Sequence, residues 1–254
     1  MPFALPADLS WTMLAIIACT ITLSYLSFGA TGFGSSIVAV PIFAHILPLT
    51  FAIPVITAVD CGAVTIATLR QWQHVDWREF RRLLIPILVG IAAGLTLLVK
   101  LPREVALFAL GLFVASYAAY TLIGVREWRA MPVLWAVPLG IVGGVFSALF
   151  GTGGPIYMVY LSSRITDKSA LRATSTLLIA LSVSVRAIAF VFSGMFLQQG
   201  LLLLVLLLYP LMLLGYSIGS RLHARLSGAA VRRWVAWLLL ANGVLLVARA
   251  VAVF

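Results

Sequence analysis

The stretch SFGATGFGSS, residues 27–36, interrupts the first long apolar segment of the chain with three glycines in six positions. Glycine inside a helix costs about 1 kcal/mol relative to alanine and readily adopts left-handed backbone conformations. A second stretch, LFGTGGP at residues 149–155, repeats the pattern much later in the sequence. We therefore predict a broken helix at each of these two places.

The composition predicts that these breaks lie in a lipid bilayer. The chain has 254 residues, 63% hydrophobic and 9% charged, whereas a soluble domain carries about 25% charged residues. Apolar runs of about 20 residues, long enough to cross a bilayer as a helix, recur from end to end. We predict an all-α polytopic membrane protein. The predicted apolar segments are residues 11–28, 34–47, 52–70, 82–99, 104–124, 133–150, 155–163, 172–193, 200–220 and 233–253.

Two of these segments, 34–47 and 155–163, are too short to cross the bilayer. At about 1.5 Å per residue they cover roughly 20 Å and 14 Å of a hydrocarbon core of about 30 Å. Each of them follows a glycine break. We therefore predict that 11–47 and 133–163 are re-entrant hairpins, which enter and leave the membrane on the same side. The alternative is that 11–47 makes a single crossing.

The basic residues favour the hairpins, because cytoplasmic loops are enriched in Lys and Arg. With the N-terminus outside and two hairpins, four cytoplasmic loops hold 13 of the 17 basic residues. A single crossing by 11–47 would instead place the Arg70–Arg82 loop outside. The hairpin topology predicts an inner-membrane, multi-pass protein with both termini extracytoplasmic. The loop residues are Arg70, Arg78, Arg81, Arg82, Arg126, Arg129, Arg164, Lys168, Arg172, Arg221, Arg225, Arg232 and Arg233.

The same topology predicts two inverted repeats, 1–127 and 128–254, each a hairpin followed by three spans. Small-xxx-small pairs, Gly90/Gly94 and Gly215/Gly219, lie on the third element of each half. Such pairs are typical of close helix packing. Inverted repeats are typical of secondary transporters, whose substrate lies near the midplane between the repeats.

The glycine breaks predict a binding site for a small anion. Irregular backbone at membrane depth survives only against protein or a wet cavity, and two breaks, one in each half, should meet near the midplane. A helix starts after each break, and helix N-termini favour anions. The alternative is that the glycines serve only tight turns and close packing. The predicted binding residues here are Gly32, Phe33, Gly34, Ser35, Ser36, Thr152, Gly153 and Gly154.

The segments GATGFGSSIVAVPIF (29–43), GVFSALFGTGGPIYMVYL (144–161) and SALRATSTLLIALS (169–182) resemble the two repeated signatures of the sulfite exporter TauE/SafE family. The resemblance implies a helical membrane protein that transports small sulfur-containing anions such as sulfite, sulfonates or thiosulfate, or related organic anions. The chain departs from the fuller glycine runs of the family, because serines follow the first break. The matching positions are Gly32, Gly34, Pro41, Gly151, Gly153, Gly154, Pro155, Thr174 and Ser175.

Two charges lie inside predicted spans, where ionisable residues mark functional sites by default. Asp60 and Arg186 each lie roughly 10 Å below the outer boundary, in corresponding spans of the two halves. We predict that Arg186 binds the anion and that Asp60 pairs with Arg186 when the site is empty. The alternative is a permanent structural ion pair. Thr174 and Ser175, at the start of the same span as Arg186, either donate to the anion or cap the helix.

Several other functions are weighed against anion transport. No GxxxxGK[ST] motif is present, so gradients or a separate partner must drive transport, and an inside-negative potential favours anion export. Proton-coupled uptake through Asp60, a passive anion channel and a subunit that needs a protein partner are the alternatives. An intramembrane hydrolase using Ser35 or Ser36 with His45 is disfavoured, because the sequence has no GxSxG. We predict no enzyme activity.

The remaining expectations concern cofactors and partners. The scattered His45, His74 and His223 and the two cysteines, Cys19 and Cys61, match no metal-ligand spacing, so we expect no cofactor and no metal. The basic residues that give the net charge of +10 lie mostly in short loops between apolar segments, so we expect no nucleic-acid partner. The expected partners are the small-anion substrate and the lipid bilayer, and a homodimer is left open.

Overall fold

The computed structural model describes residues 10–123, 131–223 and 228–251, and the regular secondary structure in these ranges is entirely helical. Seven helices in these ranges are long and apolar enough to cross a membrane. The predicted all-α polytopic class is therefore confirmed. The ten α-helices are α1 (Trp11–Thr31), α2 (Ser35–Ile46), α3 (Leu49–Gln71), α4 (Trp77–Lys100), α5 (Arg103–Ile123), α6 (Ala136–Phe150), α7 (Gly154–Ser162), α8 (Lys168–Phe192), α9 (Leu201–His223) and α10 (Gly228–Val251).

Both glycine stretches end one helix and begin another. Helix α1 ends at Gly32, and Gly34, with a φ of 105°, is the residue before α2. Helix α6 ends at Gly151, with a φ of 72°, and α7 has a proline in its first turn, where the missing N–H is not needed. The backbone therefore reverses through conformations with positive φ, which residues with a side chain rarely adopt.

The first broken pair forms a hairpin. Helices α1 and α9 run parallel, because Gly215 packs against Thr22 and Gly219 packs one turn further along against Leu26. Helix α2 runs back along α3, because its first turn bonds to Asp60 in the middle of α3 while its last turn adjoins the start of α3. The chain therefore passes down α1 and returns along α2.

The second broken pair also folds back on itself. Helix α6 runs parallel to α4, with Gly140 against Pro86 and Ala148 against Gly94. After α7, the Arg164 guanidinium donates to the carbonyl of Met131, just before α6. Helices α3 and α8 are antiparallel, since Gln198 bonds to Thr50 and Thr174 to Asp76. Because Asp76 caps α4, that helix begins beside the first turns of α8. The two hairpins therefore point into the bundle from opposite ends.

The main helix contacts each join a helix of one half of the chain to a helix of the other half. Helix α1 packs on α9 and α6 on α4, while α3 packs on α8 and α5 on α10. The two predicted small-xxx-small pairs lie in the first two of these contacts, where a Cβ on Gly90 or Gly219 would meet a backbone carbonyl of the facing helix. Glycine there allows backbones to touch. This packing brings the two hairpin tips together.

Several helices extend beyond their predicted apolar segments. Helix α4 begins at Trp77 rather than 82 because Asp76 caps its N-terminus, and α8 begins at Lys168 rather than 172 because Asp167 does the same. The first turns of α4 and α8 contain charged residues, so a hydropathy pattern does not include them. The capping aspartates mark where these helices begin. The predicted repeat boundary at 127/128 and the loop residues Arg126, Arg129 and Arg225 lie outside the described ranges.

Candidate functional site

The tips of the two hairpins touch. A Cβ placed on Gly151 would lie 2.8 Å from Ser36 Oγ and 3.1 Å from Arg186 Nη1. A Cβ placed on Gly154 would lie 3.2 Å from Phe33 Cβ. The backbone of the second break therefore lies against side chains of the first, and a side chain at Gly151 would displace Ser36.

Asp60 lies at this junction and is surrounded by donors. Its side chain sits on α3 with 1% of the residue exposed. One carboxylate oxygen, Oδ1, accepts hydrogen bonds from Tyr25 Oη at 2.7 Å and Ser35 Oγ at 2.9 Å. The other, Oδ2, accepts from Ser36 Oγ at 2.9 Å and lies 3.8 Å from Arg186 Nη2. Both oxygens of the carboxylate are therefore satisfied.

Arg186 joins three helices at the same point. It lies on α8, is 1% exposed, and its Nε donates to Thr57 Oγ1 on α3 at 2.8 Å. Its Nη1 donates to the carbonyl oxygen of Ser147 on α6. A buried charge is tolerated only when it is paired and hydrogen-bonded. The predicted proximity of Asp60 and Arg186 is therefore observed, at a separation longer than a direct hydrogen bond.

The second break holds an unpartnered donor. Thr152 is 1% exposed, and its buried Oγ1 has no hydrogen-bond partner. Neither α2 nor α7 has a side-chain cap at its N-terminus, so the first backbone N–H groups of both helices lack the partner that a cap would supply. An unsatisfied buried hydroxyl is costly, and this one lies one residue from the contact between Gly151 and Arg186.

Two of the predicted binding residues lie elsewhere. Thr174 Oγ1 accepts a hydrogen bond from the backbone N–H of Asp76 at 2.9 Å, and Ser175 Oγ donates to the carbonyl of Arg172 at 2.9 Å. Both lie about 18 Å along α8 from Arg186. Thr174 therefore ties the α3–α4 connection to α8, and neither hydroxyl reaches the junction of the hairpins.

Sequence reasoning missed two of the groups at the junction, Tyr25 and Thr57. Thr57 precedes Asp60 by three residues and so lies on the same face of α3, a signal that could have identified it. Its hydroxyl donates to the carbonyl of Ile53 at 2.7 Å, which is the ordinary role of a threonine in an apolar helix. Tyr25 stands in an apolar segment with no spacing that relates it to Asp60.

A second buried carboxylate, Glu79, lies near the start of α4. It is 4% exposed and accepts hydrogen bonds from Arg164 Nε at 2.8 Å and Tyr160 Oη at 2.9 Å. Arg82 also donates to it. The bond to Glu79 raises the pKa of the Arg164 guanidinium above its ordinary value. This cluster joins the end of α7 to α4.

The junction is closed in this structure. Asp60 and Arg186 are both sealed from solvent. A cavity of about 130 Å³ between the start of α3 and the end of α6 reaches Phe150, the residue before Gly151, and Phe150 is itself 1% exposed. Within the described ranges, no group of three His, Cys, Asp or Glu residues could hold a metal ion.

These features define a polytopic membrane protein with a buried ion pair where two broken helices meet. The family model described as "Sulfite exporter TauE/SafE" matches residues 16–246. The chain belongs to this family, as the sequence motifs predicted. It is 31% identical over 176 residues to the "Probable inner membrane transporter protein TsaS" of Comamonas testosteroni, which covers 68% of this chain and 73% of that protein. No solved structure matches the chain. The protein is a membrane transporter of anions and not an enzyme.

Proposed function

We propose that the protein is a secondary carrier that exports small sulfur-containing or organic anions of the sulfite, sulfonate and thiosulfate class. One observation carries the proposal. The tips of both hairpins meet at a single buried arginine, Arg186, whose carboxylate partner lies 3.8 Å away. The family supports the transport of an anion, and the arrangement around Arg186 supplies a place for one.

The anion would bind where the two tips meet. Arg186 supplies a planar set of N–H donors, which suits the oxygens of a sulfite or sulfonate group. Ser35 and Ser36 begin α2 and Thr152 precedes α7, so each hairpin would contribute hydroxyls and a helix N-terminus to the anion. The free Thr152 hydroxyl gains its missing acceptor when the anion arrives.

In the empty carrier, Asp60 takes the place of the anion. Its carboxylate accepts the hydroxyls of Ser35 and Ser36 and balances the charge of Arg186. A buried arginine without a counter-charge would be strongly destabilising. The carboxylate therefore preserves the site between cycles, and the substrate displaces it from its donors.

We propose that the two halves are inverted repeats and that transport moves one half against the other around this site. The opposite directions of the two hairpins and the exchange of helix contacts between the halves support this. The protein would lie in the inner membrane with both termini outside. The cavity at Phe150 would then be the closed outer route to the site.

The membrane potential supplies the direction. Moving one charge across 100 mV is worth about 2.3 kcal/mol, and the cytoplasm is negative, so an anion leaves downhill. The sequence contains no nucleotide-binding motif that would supply another source of energy. The potential therefore favours export in a transport cycle that carries net negative charge.

A flux panel in proteoliposomes tests the proposal. The panel contains sulfite, sulfate, thiosulfate, sulfoacetate, taurine and simple carboxylates, each measured with and without a membrane potential. We expect saturable flux and counterflow for the sulfur-containing anions, and we expect a potential that is negative on the loaded side to accelerate the flux of the dianion thiosulfate. Flux that rises linearly without counterflow would indicate a channel, and indifference to every anion would remove the proposal.

A matched pair of arginine variants tests whether the flux depends on the site at Arg186. Arg186→Gln removes the buried charge at the junction, whereas Arg78→Gln removes an exposed charge on α4. We expect the first variant to lose transport of every anion and the second to keep it. Full transport by Arg186→Gln would contradict the proposed site.

A further inference from the structure

We infer that each anion bound at the hairpin junction is accompanied by one proton on Asp60, so that the carrier is coupled to protons. The inference rests on the proposed function and adds the coupling ion and its site. It follows from two properties of the junction, namely how many hydrogen-bond donors it has and what net charge it can hold.

The donors of the junction are shared. An ionised carboxylate can only accept hydrogen bonds, and Asp60 accepts three from hydroxyls in addition to its ion pair. Ser35 and Ser36 carry one hydroxyl hydrogen each, and both hydrogens point at Asp60. When an anion accepts these two hydroxyl hydrogens, the Asp60 carboxylate therefore loses the hydrogen bonds that it accepts from Ser35 and Ser36 in the empty state.

The charge of the junction leads to the same requirement. Asp60 and Arg186 together are neutral, and both are 1% exposed. An added anion would place two like charges within a few ångströms of each other, away from water. Two such groups cannot both stay ionised in one site. Protonation of Asp60 removes one negative charge and converts an acceptor into a donor for the substrate.

Asp60 is the group that can take up this proton. The titratable or charged groups that face it are Tyr25 from α1, its neighbour Cys61 on α3, and Arg186 from α8. Tyr209 from α9 lies beside the same stretch of α3, and the two serines of α2 do not titrate. The tyrosines, the cysteine and the arginine already carry their protons near neutral pH.

The coupling sets the charge moved in each cycle. A monoanion that travels with one proton crosses without net charge and is insensitive to the membrane potential. A dianion that travels with one proton carries a net charge of minus one and is still driven out by the potential. Within the proposed class, the membrane potential therefore drives the export of dianions, whereas monoanions leave down their own concentration gradient.

Proton uptake on binding is the direct test. Purified protein in a weakly buffered solution with a pH indicator is mixed with thiosulfate or methanesulfonate, which do not change protonation near neutral pH. We expect uptake of up to one proton per bound anion, and an affinity that falls tenfold for each pH unit over the range of uptake. Binding without proton uptake by the unaltered protein would overturn the inference and leave the proposed function standing. Failure of every anion to bind would overturn both.

Three variants sharpen the measurement. Asp60→Asn keeps the shape and the neutral charge of the protonated acid, so it should bind the anion without proton uptake and without pH dependence. Glu79→Gln removes a second buried carboxylate, near the start of α4, and should keep the uptake. Proton uptake by Asp60→Asn, or loss of uptake in Glu79→Gln, would contradict the assignment of the proton to Asp60.

Tyr25→Phe tests the same site without touching the carboxylate. It removes one donor to the charged form of Asp60 and so favours the protonated form. We expect the midpoint of proton uptake to move up by about one pH unit with the stoichiometry unchanged. A midpoint that stays in place or moves down would overturn the role of Asp60, because a purely structural tyrosine would not move it upward.

Discussion

Two buried carboxylates in the described ranges, Asp60 and Glu79, have similar partners and different surroundings. Asp60 and Glu79 each accept a tyrosine hydroxyl, and each pairs with arginine. Glu79 is held by direct hydrogen bonds from two guanidinium groups, whereas the single arginine near Asp60 lies at 3.8 Å. Serine hydroxyls at the start of a helix complete the shell of Asp60.

This difference teaches which cluster can exchange its partner. The side chains of the two arginines that pair with Glu79, Arg82 and Arg164, are 21% exposed. Arg186 is 1% exposed and lies against Gly151, the residue before Thr152, whose hydroxyl is unpartnered. We interpret the Glu79 cluster as a fixed tie between helices and the Asp60 cluster as a site that an anion can enter.

The largest expected effect on anion affinity is that of Arg186→Gln. Truncating one partner of a buried charge pair costs about 2–5 kcal/mol, so the affinity should fall about 30-fold or more. Stability should fall as well, by about 3–5 kcal/mol, because Asp60 is left uncompensated. Equilibrium binding and thermal unfolding in detergent measure the two effects.

The double variant Asp60→Asn with Arg186→Gln separates these effects. Replacing both charges removes the unpaired carboxylate, so stability should return towards that of the unaltered protein while anion binding stays as weak as in Arg186→Gln. Restored binding in the double variant would show that Arg186 is not the group that holds the anion.

The next effect in size is expected at the close contact between the hairpins. Gly151 and Gly194 have nearly the same φ, 72° and 70°, so alanine carries a similar backbone penalty of about 1–2 kcal/mol at either position. A Cβ on Gly151 would meet Ser36 Oγ at 2.8 Å, whereas one on Gly194 would meet nothing closer than 4.0 Å.

Gly151→Ala should therefore weaken anion binding about tenfold or more, since 1.4 kcal/mol of displaced contacts corresponds to a factor of ten. Gly194→Ala should leave the affinity unchanged while losing similar backbone stability. Equal anion affinities for the two variants would mean that the close approach of the two breaks has no part in binding.

Thr152→Val should have a smaller and more specific effect. The substitution removes an unpartnered hydroxyl and keeps the shape of the side chain. If the hydroxyl donates to the anion, affinity should fall about threefold to tenfold, and thermal stability should stay the same or rise. Thr174→Val is the matched control, because its hydroxyl bonds to Asp76. That variant should lose stability and keep its affinity, and the reverse pattern would contradict the placement of the site.

The smallest effect on affinity is expected for Glu79→Gln. The variant leaves two buried or half-buried guanidinium groups without their carboxylate, so stability should fall by about 2–3 kcal/mol. The anion affinity should stay within about twofold, which is the error of such comparisons. A large loss of affinity would show that the two clusters are coupled and would remove the contrast between them.

Much of the fold could be predicted because the bilayer restricts what the chain can do. Long apolar runs must be helices, and the glycine stretches at 27–36 and 149–155 predicted the two helix breaks. Asp60 and Arg186 could be paired from sequence because a charge inside an apolar span needs a partner. These inferences use composition and local order alone.

The rest depends on contacts between distant parts of the chain. Tyr25 reaches Asp60 across 35 residues and Arg164 reaches Glu79 across 85 residues, and no local pattern relates these positions. Thr174 matches a family motif, yet its hydroxyl bonds to the α3–α4 connection, because the motif gives a residue type and not its partner. Ser35 and Ser36 lie where the two hairpins meet, but the structure shows the Asp60 carboxylate as their acceptor.

Location of a bound anion is the most direct test of the central claim that the substrate replaces the Asp60 carboxylate at Arg186. Selenite, the selenium analogue of sulfite, can be located by anomalous diffraction from crystals of the complex. We predict a selenium peak between Ser36 Oγ, Arg186 Nη1 and Thr152, with Asp60 displaced from at least one serine. A peak elsewhere, or an Asp60 shell that stays intact with the anion bound, would contradict the account.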